Sequence, residues 1–358
     1  MQVEGPKRRI SWIDVAKGLG IIFIVIGHSL KTGWLREYLY SFHVPFFFFL
    51  SGITYRYKEE KKNFWNKKIK SIVVPYLVFG LISILIYRVL GEFASDKLGS
   101  EISSTRILPN LIGLIYGNSK TGYMRWNLPL WFLTCLITTT LIVDVCETFI
   151  INNVKRGRNL YRILIAGCLV VLNYILTQFF HVVLPWHMET ACGMSLFFWL
   201  GIIDGENHFV QKMVLAIGRN KSMVTAITLI FVGVIVTFFN RGASIREDNY
   251  HFYPLYLINA ILAGGGYTLL CINIQTNRIM EFLGKRTLSI LLMHKFPILV
   301  FQIMTPIISG WLKNPDSFQG ILSALITTVL SIIMCCIADK VIHRIAPWML
   351  GAFERIKE

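Results

Sequence analysis

The sequence predicts an all-α integral membrane protein, a bundle of about ten transmembrane helices around a polar interior cavity. Three observations carry this. The 358 residues are 54% hydrophobic, with a mean hydropathy of +0.56, too apolar for a soluble domain of that length. Apolar stretches of membrane-spanning length recur from end to end. The first of them holds three ionisable residues, and ionisable groups at membrane depth face a protein interior or a wet cavity.

The ten stretches run at about 10–30, 38–55, 70–90, 128–150, 161–180, 188–204, 222–239, 252–274, 287–308 and 320–344. The second and sixth are short and read as less tilted or partly interfacial. Nothing is left for an appended soluble domain, so the expectation is a single transmembrane domain over 1–358. The formal charge of +16 raises the question of nucleic acid, but its placement answers otherwise. With the N-terminus inside, 24 of the 36 Lys and Arg fall on the inner side and 9 on the outer, and Lys17, Arg88 and Lys295 lie within or beside spans. That bias is the positive-inside pattern, with both termini cytoplasmic. The basic excess serves topology and attraction to membrane lipid, not nucleic acid.

The N-terminal apolar run is long, charged and without a small-residue cleavage pattern, so it reads as a span and not as a cleaved signal. The seven cysteines lie within spans, have no Cys-x-x-Cys spacing and read as packing residues. The eight histidines show no tight ligand spacing, so no metal is expected.

In the first span, Lys17 and His28 are eleven positions apart and differ by about 20° around a helix, with Asp14 about 40° to the other side. All three share a stripe, with Lys17 and His28 about 16 Å apart along the axis. The second span carries His43 toward its outer end, Pro45 as a permitted kink, and the small pair Ser51 and Gly52 near its inner end. The basic loop from Arg56 to Lys70 follows, then span three. Residues 91–127 form the longest outer loop, within which 107–117 is apolar enough to lie in the interface or re-enter. Span four opens at the outer side with Trp131. Span six opens there with His187 and Glu189, where Glu189 is either exposed at the interface or a partner of an outer histidine. Span nine holds His294 and Lys295 about two turns from its inner end.

Sorted by depth, His28, His43, Trp131, His187 and Glu189 gather toward the outside. Asp14, Lys17, Ser51, Arg56, Lys67, Lys68, Arg286, His294 and Lys295 gather toward the cytoplasm. A donor site on one face and an acceptor site on the other would have this arrangement.

Five stretches in order give the chain a resemblance to the membrane-bound acyltransferase 3 family, most of all to its fucose 4-O-acetylase-like branch. They are 12–18 followed by His28, 42–52, 67–76, 130–133, and Leu283-Gly284 with Ser289 and His294. Lys17 fits a position where the family has Arg or Lys. Where the family often has a tyrosine shortly before its last histidine, this chain has Leu291.

The resemblance implies an acetyl-CoA-dependent O-acetyltransferase of a bacterial cell membrane. Acetyl-CoA would be the cosubstrate, and a hydroxyl of a cell-surface glycan or its lipid-linked precursor the acceptor. Imidazole titrates near neutral pH and suits the general base that acyl transfer to a hydroxyl requires. His28 is that base, with Asp14 and His43 in the catalytic group. Lys17, Ser51, Arg56, Lys68 and His294 are the candidate cosubstrate-binding residues. Trp131, His187 and Glu189 are those for the acceptor. The rival readings are a transporter of a small solute, which uses the same intramembrane charges for coupling, and the same chemistry with another donor such as succinyl-CoA.

Overall fold

The computed structural model describes residues 10–93, 106–121, 125–304, 306–311 and 313–353. Lys7, Arg8 and Arg9, and most of the expected outer loop up to residue 105, lie outside the described residues. Among the described residues the regular structure is helical throughout, with one isolated bridge between Ser244 and Asn249.

Chain order sets the labels. The first pair is α1 (Ser11–Ser29) and α2 (Trp34–Thr54). Next, α3 (Lys61–Lys68) passes through a π turn into α4 (Val74–Phe93), followed by the short α5 (Ile107–Tyr116). Then come α6 (Trp131–Asn153), α7 (Arg158–Tyr174), α8 (Met188–Asn207), α9 (Phe209–Ile217), α10 (Arg219–Phe239) and α11 (Tyr253–Ile274). The last group is α12 (Arg278–Gly284), α13 (Thr287–Met293), α14 (Lys295–Met304), α15 (Pro306–Trp311) and α16 (Phe318–Ile345).

Among the described residues, seven helices are by length and composition alone apolar enough to cross a membrane: α1, α3–α4, α6, α7, α10, α11 and α16. The other three expected spans fall outside this group for two different reasons. α2 and α8, at 21 and 20 residues, have ample length. They pack against each other and bury most of their surface inside the bundle, so their exteriors need not be apolar. The ninth stretch is broken at His294 into α13, α14 and α15. Pro297 explains the break: it has no N–H for the Met293 carbonyl, and its ring crowds the preceding turn. Burial grades the remaining helices. The apolar window of α6 is 72% buried and central, while those of α7 and α10 are 22% buried and turn wide apolar faces outward.

Glycines set the two closest crossings. A Cβ on Gly18 would stand 2.0 Å from the Met280 carbonyl oxygen, and one on Gly284 would stand 2.0 Å from that of Asp14. α1 and α12 therefore meet backbone to backbone. Gly52 of α2 and Gly201 of α8 make the same kind of contact, against the carbonyls of Phe198 and Phe49. The small pair at Ser51 and Gly52 thus admits another helix.

Contacts between distant segments sort the connections into two ends. Lys61 pairs with Asp144, Arg162 with Glu206 and Arg286 with Asp339 at the end near residues 55–60 and 345–353. Glu37 pairs with Arg241, Lys120 with Asp248, and Trp34 N–H donates to Asp316 at the opposite end. The first is called the basic end below and the second the far end. The apolar segment at 107–117 is a helix at the far end, with Leu108, Ile112 and Ile115 exposed along one side.

The positive-inside bias predicts the orientation of this two-ended bundle. Single cysteines at Lys58 and Lys313, in a background without the seven native cysteines, should react oppositely with an impermeant maleimide in intact cells. Position 313 should label and position 58 should not. The reverse pattern would place the basic end outside.

Candidate functional site

At the far end, α1 and α2 bring His28 and His43 to one tyrosine. Arg36, Tyr40 and His43 are spaced four and three residues apart on α2 and share a face. The Tyr40 ring lies 5.9 Å from that of His28 and 5.0 Å from that of His43, centroid to centroid. Tyr40 Oη is 3.3 Å from His28 Nδ1. A Cβ on Gly27 would strike the Tyr40 ring at 2.6 Å, so the ring reaches His28 only because that position is glycine. The Arg36 guanidinium stacks over Tyr40 at 4.1 Å.

The helix break supplies the third imidazole. His294 is fully buried and its ring centroid lies 5.2 Å from that of His28. This corrects its expected place among the residues near the cytoplasm. α1 and the α12–α14 run leave the basic end side by side, with Gly284 against Asp14, so ten residues on from Gly284 the chain reaches the level of His28. His43 Nδ1 donates to the Leu39 carbonyl at 2.6 Å and His294 Nδ1 to that of Ile290 at 2.9 Å. Both rings therefore carry their proton on Nδ1 and present Nε2 as a base, and His294 Nε2 has no partner. His294, Lys295, His43 and Arg36 all lie within coulombic range of His28. The cluster thus joins basic nitrogens to cations suited to a developing oxyanion.

Trp131, His187 and Glu189 form a second far-end group. The Trp131 and His187 rings are 5.1 Å apart. His187 Nε2 accepts the Ser119 N–H at 3.1 Å, which places its proton on Nδ1, 3.9 Å from Glu189 Oε1. Glu189 is fully buried, which overturns the interfacial alternative. Its Oε1 takes Asn118 Nδ2 at 2.9 Å and Lys120 Nζ at 2.6 Å, and its Oε2 takes the Leu184 N–H at 3.1 Å. Lys120 also pairs with Asp248, whose other oxygen accepts from Thr190 at 2.9 Å and Tyr250 at 3.1 Å. Burial pushes the Asp248 carboxyl up, against the pull of Lys120. Burial pushes the His187 imidazole down, and the cations Lys120 and Arg246 add to that. Lys120 therefore ties its own loop to the first turn of α8 and to the loop of Asp248, whose Arg246 lies within coulombic range of both Tyr40 and His187.

At the basic end, Asp14 is buried and Lys17 half-buried on α1. Lys68 lies within coulombic range of Lys17 and of Asp144. Asp144 collects Tyr55 Oη at 2.6 Å, Lys61 Nζ at 2.8 Å and Trp65 Nε1 at 3.2 Å, which ties α3 to α6. Arg56 caps α2 through the carbonyls of Ile53 and Tyr55, and Ser51 donates to the Phe47 carbonyl at 2.8 Å. The structure therefore assembles His28, His43 and His294 at one level. It keeps Lys17, Lys68, Ser51 and Arg56 at the other, and gives Glu189 to a clamp.

The profile of a family described as an acyltransferase domain matches residues 10–340. The chain belongs to the acyltransferase 3 family. No curated protein and no solved structure matches it. Membership in acyltransferase 3 makes this multi-pass membrane protein an acyltransferase by family. The matched region holds both levels of polar residues, from Asp14 to Asp339.

Sequence reasoning missed Arg36, Tyr40, Lys120, Asn127, Asp144, Arg246 and Asp248. The face shared by Arg36, Tyr40 and His43 was readable from helical spacing. The Lys120 clamp was not, because its members lie in three separate segments, two loops and the start of α8, up to 128 residues apart.

Lys120→Met should leave two buried carboxylates without their cation and cost about 3–5 kcal/mol. In detergent, the protein should lose its monodisperse elution peak at a markedly lower temperature, and Asp248→Asn in the same chain should restore part of the loss. An unchanged melting profile would show that the clamp does not hold the far-end loops.

Proposed function

We propose that this protein is an O-acetyltransferase, most similar to fucose 4-O-acetylase-like enzymes. It takes acetyl from acetyl-CoA at the basic end and gives it to a hydroxyl of a cell-surface glycan or lipid-linked precursor at the far end. The observation that carries this reading is the His28–His43–His294 cluster, set among cations and joined along α1 to the lysines of the basic end. Lys17 and His28 are separated by about 16 Å of helix. A cosubstrate with phosphates at one end and a thioester on a long flexible arm fits that separation. Lys17 and Lys68 serve the phosphates, with Arg56 and Ser51 at the same mouth. The bacterial membrane setting and cytoplasmic termini belong to the same proposal.

The step follows from the groups present. The acceptor oxygen attacks the thioester carbonyl while an imidazole nitrogen of His28 takes the hydroxyl proton. Negative charge grows on the carbonyl oxygen, and Arg36 and Lys295, the cations within coulombic range of His28, are the groups suited to stabilise it. The carbon–sulfur bond then breaks, and the imidazolium returns its proton to the leaving thiolate. Tyr40 orients His28 through Nδ1. Trp131 and His187 flank the acceptor side, and Arg246 lies within coulombic range of both His187 and Tyr40.

His28→Ala should lower transfer of labelled acetyl from acetyl-CoA to membrane glycan by about 10²–10⁴-fold, while binding of labelled coenzyme A persists. Wild-type transfer in that variant would remove His28 as the base. Succinyl-CoA competing as the better donor would change the acyl group, and solute counterflow without consumption of acyl-CoA would favour transport.

On the donor side, Lys17→Ala should weaken coenzyme A binding and Lys17→Arg should keep part of it, because a phosphate contact needs charge more than shape. Equilibrium binding to purified protein checks this, and equal affinity in wild type and Lys17→Ala would leave Lys17 a structural role beside Asp14.

A further inference from the structure

In a continuous helix each carbonyl takes the N–H four residues on. At the α13–α14 break Pro297 leaves the Met293 carbonyl without that N–H, and the neighbouring Leu292 carbonyl accepts from Asn127 Nδ2 at 3.0 Å. Asn127 belongs to a different part of the chain, 165 residues away, in irregular backbone just ahead of α6 (φ −155°, ψ 72°). It is fully buried. The same amide nitrogen is 3.1 Å from Ser83 Oγ on α4, and Ser83 has its own proton on the Phe79 carbonyl at 2.6 Å. Both neighbours are therefore acceptors. They fix the amide with its two N–H groups toward Ser83 and Leu292, and leave Oδ1 facing away without a partner.

Two residues beyond Leu292 stands His294. Its Nδ1 is held by the Ile290 carbonyl, its Nε2 is unpartnered and buried, and its ring lies against that of His28. A helix broken by proline has slack at the break unless another group holds the backbone beside it. We propose that Asn127 is a positioning residue: by holding the Leu292 carbonyl it fixes the break and so aims His294 at His28. Asn127 then acts on transfer only through His294, and its working atom is Nδ2. This inference rests on the proposed acyl transfer at His28.

The test uses the full-length protein in membrane vesicles that contain the acceptor glycan, with labelled acetyl-CoA. Asn127→Ala should lower kcat about 10- to 100-fold, the range that a small misplacement of a reacting group produces, with KM for acetyl-CoA within about twofold. Asn127→Asp keeps an acceptor oxygen but loses the N–H donors, so it should fail as Asn127→Ala does. In a His294→Ala background, Asn127→Ala should cost less than about twofold more, because coupled positions are not additive. If Asn127→Ala does not accumulate in membranes, Ser83→Ala frees one N–H contact of the same amide without altering its loop. It should show a smaller loss that also vanishes when His294 is absent. Multiplicative losses in the double variant would overturn the inference, as would wild-type rates in Asn127→Asp. Wild-type rates in His294→Ala, with His28→Ala inactive, would overturn it while leaving His28 as the base. Wild-type rates in His28→Ala would instead remove the reading on which it rests.

Discussion

The backbones of α1 and α12 touch where neither helix carries a side chain. At Gly18 and Gly284 a single added methyl would come within 2.0 Å of a carbonyl oxygen on the other strand of chain. Packing that close has almost no play, because the neighbour is backbone and cannot rotate away. It fixes the register between α1 and the α12–α14 run. That register decides how far up α1 the His294 ring comes to rest, and it rests against His28. The glycine contact at the basic end thus sets the chemistry near the far end, some ten residues away along each helix.

The same logic explains why two helices of the bundle are not membrane-like. A span that faces lipid must be apolar, since the bilayer has no partner for a polar group. α2 and α8 face other helices instead, through the glycine contacts of Gly52 and Gly201. Enclosure lets α2 carry Arg36, Tyr40 and His43 on one face. It lets α8 open with Glu189, whose two oxygens are met by Asn118, Lys120 and the Leu184 N–H. The lipid-facing helices α7 and α10 pack around this polar centre and take no part in the histidine cluster. Arg162, the buried cation of α7, is spent on Glu147 and Glu206 at the basic end.

How much of this was legible in the sequence differs by kind of signal. The stripe of Asp14, Lys17 and His28 follows from helical period alone, and the structure keeps all three on α1. The two-ended organisation followed from where the lysines and arginines fall. α2 and α8 read as spans by length and each runs from one end of the bundle to the other, but their enclosure by other helices is a tertiary property. His294 was assigned to the wrong level because depth was measured from Arg286, and the contact between Gly284 and Asp14 is invisible in one sequence. Lys120, Asp248 and Arg246 left no signal for the same reason: two distant loops must close on each other before their charges have partners. Asn127 is the instructive case. It precedes Pro129 by two residues, a plain turn signal, and nothing in that signal points to a broken helix 165 residues on.

Separation of charge along the bundle is the last constraint. Lys61, Arg162 and Arg286 have carboxylate partners at the basic end, while each imidazole of the far-end cluster has Nδ1 on a backbone carbonyl or within reach of a tyrosine hydroxyl. An acyl donor that must be held by its phosphates and still reach a base about 16 Å away needs both features on one rigid element. α1 is that element, because Gly18 pins its basic end to α12 while Tyr40 and His294 enclose the ring of His28 at the other. A loop could carry the same residues, but it could not hold the distance between them. A single helix holds it through every main-chain hydrogen bond from Lys17 to His28, and so the two ends of the reaction are set by the geometry of one span.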